Sequence, residues 1–172
     1  MIKLIATASG QIKISSFGKE EAFKCAIGRS GMIAAADKRE GDGASPAGVW
    51  PMRRVYYRAD RMEQPETGLP CEEIRSNQGW CDAPDDPAYN RLITLPYTAS
   101  HELMWREDHV YDVVVELGHN DSPPVPGLGS AVFMHLARAD YSPTQGCIAL
   151  ALEDMLKILR QCNGESELEI SF

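Results

Sequence analysis

Residues 130–150 read SAVFMHLARADYSPTQGCIAL. The first eight are mostly apolar, as in a buried strand. Side chains along a strand alternate between faces, so His135 shares a face with Phe133 and Ala131, while Val132, Met134 and Leu136 take the other. An imidazole therefore interrupts a core segment. A Pro, a polar pair and Gly146 follow, directly before Cys147 and a second apolar run. The glycine lets the backbone turn tightly and leaves the amide beside the sulfur open to an approaching group. His135 and Cys147 are 12 residues apart, enough for the segments that carry them to lie side by side.

Such a pair has a chemical use. A thiol near its ordinary pKa is only a few per cent thiolate at neutral pH, and a neighbouring imidazole can take its proton, hold the ion pair, and return a proton to a leaving amine. The amides of Gly146 and Cys147 are candidates for an oxyanion hole. The reaction class is acyl transfer through a thioester. From these two positions alone, a Cys and a His packed without chemistry is the other reading.

Working outward, VYDVVVELG (110–118) reads as a second buried strand. ALEDMLKILRQCNG (151–164) places Leu152, Met155, Leu156 and Leu159 at helical spacing, with acidic residues in the first turn and Asn163-Gly164 as a stop. ELEISF (167–172) alternates again and closes the sheet. At the other end, Ile2 and Leu4, then Ile12 and Ile14, flank Ser9-Gly10 as a β-hairpin, and 22–28 continues as a strand. Residues 38–54 form a Gly/Pro-rich loop leading into VYYRAD. From about 61 to 100 the chain is rich in Pro, Asp, Gly and Asn, and predicts a long excursion with little regular structure, tied down by Trp80 and Tyr89. The expected fold is mainly β, a sandwich-like single domain over 1–172 with one amphipathic helix near the C-terminus.

Composition narrows the partners. With 172 residues, 44% hydrophobic and 24% charged, the chain is long enough for one domain with its own core. A net charge of −8 without a basic stretch disfavours nucleic acid and anionic membranes. The N-terminal stretch lacks the apolar run of a signal peptide or a membrane span, so the chain is either cytoplasmic or a mature form whose export signal is missing. Five cysteines and four histidines complete no zinc spacing, so a structural metal site is not expected. Cys25 and Cys162 read as buried small hydrophobes, and Cys71 and Cys81 as a pair able to bridge in an oxidising compartment. Trp50, Trp80 and Trp105 are scattered, as core anchors are.

FMHLARADYSPTQGCIAL (133–150) resembles the active-site signature of the YkuD-type L,D-transpeptidases, in which a strand His precedes an [S/T]HGC turn whose Cys is the nucleophile. KREGDGASPAGVW (38–50) is similar to that family's second motif, a Lys/Gly/Asp-rich loop running into Thr-Pro-x-Gly and an aromatic. The resemblance implies a sandwich-like catalytic domain with Cys147 as nucleophile, His135 as base, and Thr144 and Gly146 as the signature's hydroxyl residue and glycine. The chain departs from the pattern at Gln145, where the family has His, and at Ala149, where an Arg is common. Leu136 replaces the small residue after the His, and the loop between base and nucleophile is short. Arg138 is the substitute candidate for holding substrate carboxylates, with a solvated loop charge as its alternative. His119 and Asn120, leading into the His135 strand, either line the substrate cleft or serve a turn. His101, Glu102, Arg53 and Arg54 are weaker candidates.

The resemblance implies an enzyme that cross-links peptidoglycan stem peptides, 3→3 or in a divergent branch 1→3, outside the inner membrane in the periplasm and with no metal or organic cofactor; a monomer is expected. Two other readings stand beside it. One gives water the acceptor role, as in an L,D-carboxypeptidase or amidase. The other is an inactive wall-binding module.

Overall fold

The computed structural model describes residues 3–16 and 19–172. Alternation builds the first hairpin. Leu4 and Ala6 of β1 (Lys3–Thr7) and Ile12 and Ile14 of β2 (Gln11–Ser16) are buried, and the strands pair antiparallel around Gly10, whose φ of +74° suits a residue without Cβ. Ile2 of the expected hairpin lies outside the described residues.

The chain continues through β3 (Lys19–Ala26), β4 (Met32–Ala34), β5 (Ser45–Tyr57), β6 (Cys71–Glu73), β7 (Gln78–Cys81), β8 (Leu92–Thr94) and β9 (His101–Leu103). It then forms β10 (Val113–Leu117), β11 (Phe133–Leu136), β12 (Ile148–Leu150), α1 (Leu152–Leu159) and β13 (Glu167–Ser171).

Two long strands turn one ladder into two layers. The Gly48–Pro51 part of β5 pairs with β13, while Met52–Tyr57 pairs with β10. Likewise Lys19–Lys24 of β3 pairs with β2, and Cys25 and Ala26 pair with β12. The order β10-β11-β12-β3-β2-β1-β13-β5 therefore closes through the β5–β10 pairing, leaving these strands no free edge within the ring. The sandwich-like, mainly β expectation is met, with the two layers joined at both sides.

One core fills the space between the layers. Leu4, Ile12, Leu168 and Ile170 meet Val113, Val115, Met134, Ile148 and Leu150, with Met155, Ile158 and Leu159 of α1 packed against them. Each fully buried side chain of this size contributes about 1.5–3 kcal/mol. The helix stripe differs from the expected one. Met155, Ile158 and Leu159 are buried, whereas Leu152 is 41% exposed, because the helix turns its 155/158/159 edge to the core and Leu152 falls in the first turn beyond it.

The opposite face of the β10–β11–β12 layer carries a second cluster. Val114, Ala131, Phe133 and Cys147 lie there under Trp80, Met104 and Tyr111 from the 61–111 region. Val132, Met134 and Leu136 point into the main core, so the alternation read from the sequence holds residue by residue. The excursion, expected to have little regular structure, contains a three-stranded sheet in the order β8-β7-β9. In β7, Gly79, Trp80 and Cys81 are all buried, so the strand is covered on both faces and has no alternation to read. Cys71 and Cys81 are free thiols on strands of different sheets.

Candidate active site

Parallel pairing of β11 with β12 sets His135 opposite Ala149 and Met134 opposite Ile148. Cys147, two residues before Ala149, therefore shares the His135 face, one step along the ladder. Here the backbone explains Gly146. Its φ is +136°, and a Cβ at this position would lie 2.8 Å from the Ala44 carbonyl oxygen, so conformation and space both demand glycine. The turn is strapped from several sides. Thr144 N–H donates to Ile27 O at 2.9 Å and Arg29 N–H to Thr144 O at 2.8 Å. The Thr144 hydroxyl donates to Cys147 O at 2.7 Å, and Ser45 Oγ reaches the same carbonyl at 3.5 Å. The Arg29 guanidinium donates to the Gln145 side-chain oxygen. Arg29 and Ser45 carried no signal in the sequence, because their roles depend on segments over 100 residues away in the chain meeting this turn.

The two candidate side chains are held by backbone groups rather than by each other. Cys147 Sγ donates to Ala131 O at 3.2 Å and accepts from Phe133 N–H at 3.4 Å. His135 Nδ1 lies 3.0 Å from Leu136 O. A carbonyl can only accept, so Nδ1 carries the proton and Nε2 keeps a lone pair. Tyr111 packs edge-on against the imidazole, with centroids 5.4 Å apart. Burial dominates the titration of both groups. It pushes the Cys147 thiol up to about 12, with the nearby Glu102 charge adding to it, and the Phe133 amide and Lys38 opposing. Burial lowers the His135 imidazole to about 4, against the pull of the Leu136 carbonyl. Burial thus favours the neutral form of each group, and among the described residues no hydrogen bond joins the two side chains. The Gly146 amide, expected to be open, donates to Thr144 Oγ1 at 3.1 Å. Cys147 N–H has no partner among the hydrogen bonds of the described residues.

Two cavities share Cys147, Glu102 and Gln145 in their linings. One, of about 390 Å³, is lined by Arg106, Tyr111, His135, Arg138, Glu102 and Cys147. The other, of about 200 Å³, is lined by Lys38, Glu40, Ser130, Gly146, Glu102 and Cys147. Thr144 and Gln145 line the first, and Gln145 also the second. Two guanidiniums line the larger cavity. Arg106 forms a double hydrogen bond to Asp108, 2.7 and 2.8 Å, and Arg138 reaches the same carboxylate at 3.1 Å. Arg106 first, and Arg138 more weakly, hold Asp108 well below the usual carboxylate range despite its partial burial. The smaller cavity is walled by the 38–44 loop. Asp42 ties that loop by accepting from Lys38 Nζ, from Arg39 N–H at 2.8 Å and from Ala44 N–H at 2.8 Å.

Other expected residues fall elsewhere. His119 is buried, with Nε2 3.0 Å from Leu128 O and its ring edge-on to Trp50 at 4.7 Å. Asn120, at φ +49°, bonds Val125 and Gly129 within its own loop. Neither lines the cavities at Cys147: both serve the turn, the second of the two readings. Arg53 pairs with Asp121, and Arg54 with Glu72 and Glu116. His101 bonds Ala99 O, while its neighbour Glu102 reaches both cavities. Trp50 and Trp80 donate to Pro46 O and Asn90 Oδ1, and Trp105 lies under Arg58, so the tryptophans act as anchors. Among the described residues, no group of three or more His, Cys, Asp or Glu is placed to hold a metal ion.

Residues 10–170 match the L,D-transpeptidase catalytic domain (YkuD), and the chain belongs to that family. Among curated proteins none matches. Crystal structures of lower similarity include Mycobacterium tuberculosis L,D-transpeptidase 1, at 13% identity and TM-score 0.47 over 99% of this chain and 62% of that one. L,D-transpeptidase 3 of the same organism has 14% identity and TM-score 0.49 over 98% of this chain and 60% of its own. The helical cell shape determining protein Pgp2 from Campylobacter jejuni has 13% identity and TM-score 0.48, with 98% and 46% covered. The chain thus spans less than two thirds of the length of these structures.

Proposed function

We propose that the protein is a cysteine-dependent L,D-transpeptidase acting on peptidoglycan stem peptides. The observation that carries this is Cys147 at the junction of two cavities, on one face with an imidazole whose Nδ1 is tied to Leu136 O. Nε2 of His135 takes the thiol proton as the sulfur attacks the donor carbonyl, so no free thiolate has to persist in the buried site. The Cys147 N–H stabilises the developing oxyanion, with the Lys38 ammonium nearby. The imidazolium then protonates the leaving amine, and the acyl group stays as a thioester. An amine of a second stem attacks it, and the 3→3 or 1→3 geometry follows from which amine the second cavity admits. Arg106 and Arg138 hold a carboxylate of the donor in the larger cavity. The enzyme works as a monomer, outside the inner membrane where its substrate lies.

Having Cys147 in the lining of two cavities favours transfer over hydrolysis, since water needs no second compartment. Product analysis with a disaccharide-tetrapeptide, with and without an added acceptor stem, tests this. Cross-linked dimers support the transferase. Tripeptide alone in both arms makes it a carboxypeptidase, and unchanged substrate with reversible binding makes it a wall-binding module.

A further inference from the structure

Glu102 is in an unexpected place for a site that must generate a sulfur anion. It borders both cavities together with Cys147 and Gln145. Its Oε2 accepts from the Tyr111 hydroxyl at 2.7 Å, and Tyr111 in turn packs on His135. No ion pair of 4.0 Å or less involves Glu102 among the described residues, because Arg106 is engaged by Asp108. A carboxylate here opposes thiolate formation, as its effect on Cys147 shows. For the first chemical step it is a liability.

The second step has the opposite need. At neutral pH an aliphatic acceptor amine arrives as an ammonium, which has no lone pair to attack with. It must shed one proton before attack and a second during it, and His135 can take only one.

Resting on the proposed transferase reading, we infer that Glu102 is the residue that receives the acceptor ammonium and removes its first proton. The ammonium gives one proton to Glu102, leaving a free amine and a neutral carboxylic acid. The amine nitrogen forms the C–N bond to the thioester carbon and passes its second proton to His135 Nε2. The C–S bond breaks, the imidazolium returns that proton to the Cys147 sulfur, and the Glu102 proton leaves to solvent. Burial supports this role, since it raises the Glu102 carboxyl above its ordinary value even though the Tyr111 hydroxyl and Arg106 favour its charged form, with Asp82 and Glu40 adding like charge. The gap between acid and ammonium narrows accordingly.

The test compares Glu102→Gln with the wild type in two separated steps. Acyl-enzyme formation with a tetrapeptide donor is followed by intact mass, and transfer is then measured to a diaminopimelate-containing stem and to hydroxylamine, whose nitrogen is already neutral at neutral pH. The expected result is acylation within about threefold of wild type, transfer to the stem slowed about a hundredfold, and transfer to hydroxylamine unchanged. Glu102→Asp, with the charge on a shorter arm, is expected to show the same split in weaker form, and it serves if the Gln variant does not fold. Equal transfer to the stem by variant and wild type overturns the inference, as does an equal loss with both acceptors or a lost acylation step. A wild type that forms no acyl-enzyme overturns the underlying function instead.

Discussion

Cys147 and His135 feel the same burial with opposite effects on proton affinity. The thiol rises to about 12 and the imidazole falls to about 4, so each prefers its neutral form. The sign for reactivity follows. A thiol with a raised pKa gains thiolate in proportion to hydroxide across the whole neutral range, whereas a preformed ion pair would already be saturated. Alkylation of Cys147 by iodoacetamide, read by peptide mapping, is therefore expected to rise about tenfold per pH unit between about pH 6 and pH 9. A rate independent of pH in that window would show a standing thiolate. Peptide mapping also separates Cys147 from Cys25, Cys81 and Cys162, which are buried as well.

At the level of elements, Asn90 is the joint between the excursion and the layer that carries His135 and Cys147. With φ +55°, its Oδ1 accepts from Trp80 Nε1 at 2.9 Å and from Ala131 N–H at 3.0 Å, and its Nδ2 donates to His119 O and Asn120 O at 3.2 and 2.8 Å. Ala131 O also accepts from the Cys147 thiol, so the clamp borders Cys147. Asn90→Ala leaves buried donors and acceptors unpaired and is expected to cost about 1–3 kcal/mol in urea unfolding and to slow acylation; unchanged stability would remove Asn90 from this role. None of this is visible in the sequence, where Asn90 sits among Pro, Asp and Tyr like an ordinary turn residue. The strand of His135 was legible because Val132, Met134 and Leu136 alternate with Ala131, Phe133 and His135 across a core and a second cluster, which is what period two records. The β7–β9 sheet was not, because a strand buried on both faces leaves no period. Arg106, Tyr111 and Glu102 reach the cavity from around residues 101–111 and meet Cys147 only through tertiary packing.

At the scale of the molecule, the closed ring carries His135 and Cys147, and their face is covered by the segment between β5 and β10, with the 38–44 loop bounding the smaller cavity. In a chain with net charge −8, Arg106 and Arg138 both line the larger cavity, beside Glu102 and with their guanidiniums bonded to Asp108. Arg106→Ala and Arg138→Ala are each expected to raise KM for a donor ending in a free carboxylate several-fold, the more buried Arg106 more than the exposed Arg138, and to leave KM for the amidated donor unchanged. Equal effects on both donors would mean that the arginines shape the loop rather than hold the substrate.

The nucleophile is the claim on which the rest depends. Intact-protein mass after incubation with a disaccharide-tetrapeptide, with Cys147→Ala in parallel, tests it most directly. The account predicts a wild-type adduct equal to the donor less its departing D-residue, and no adduct on the variant. An adduct that persists in Cys147→Ala, or a wild type that stays unmodified while the substrate is turned over, would contradict it.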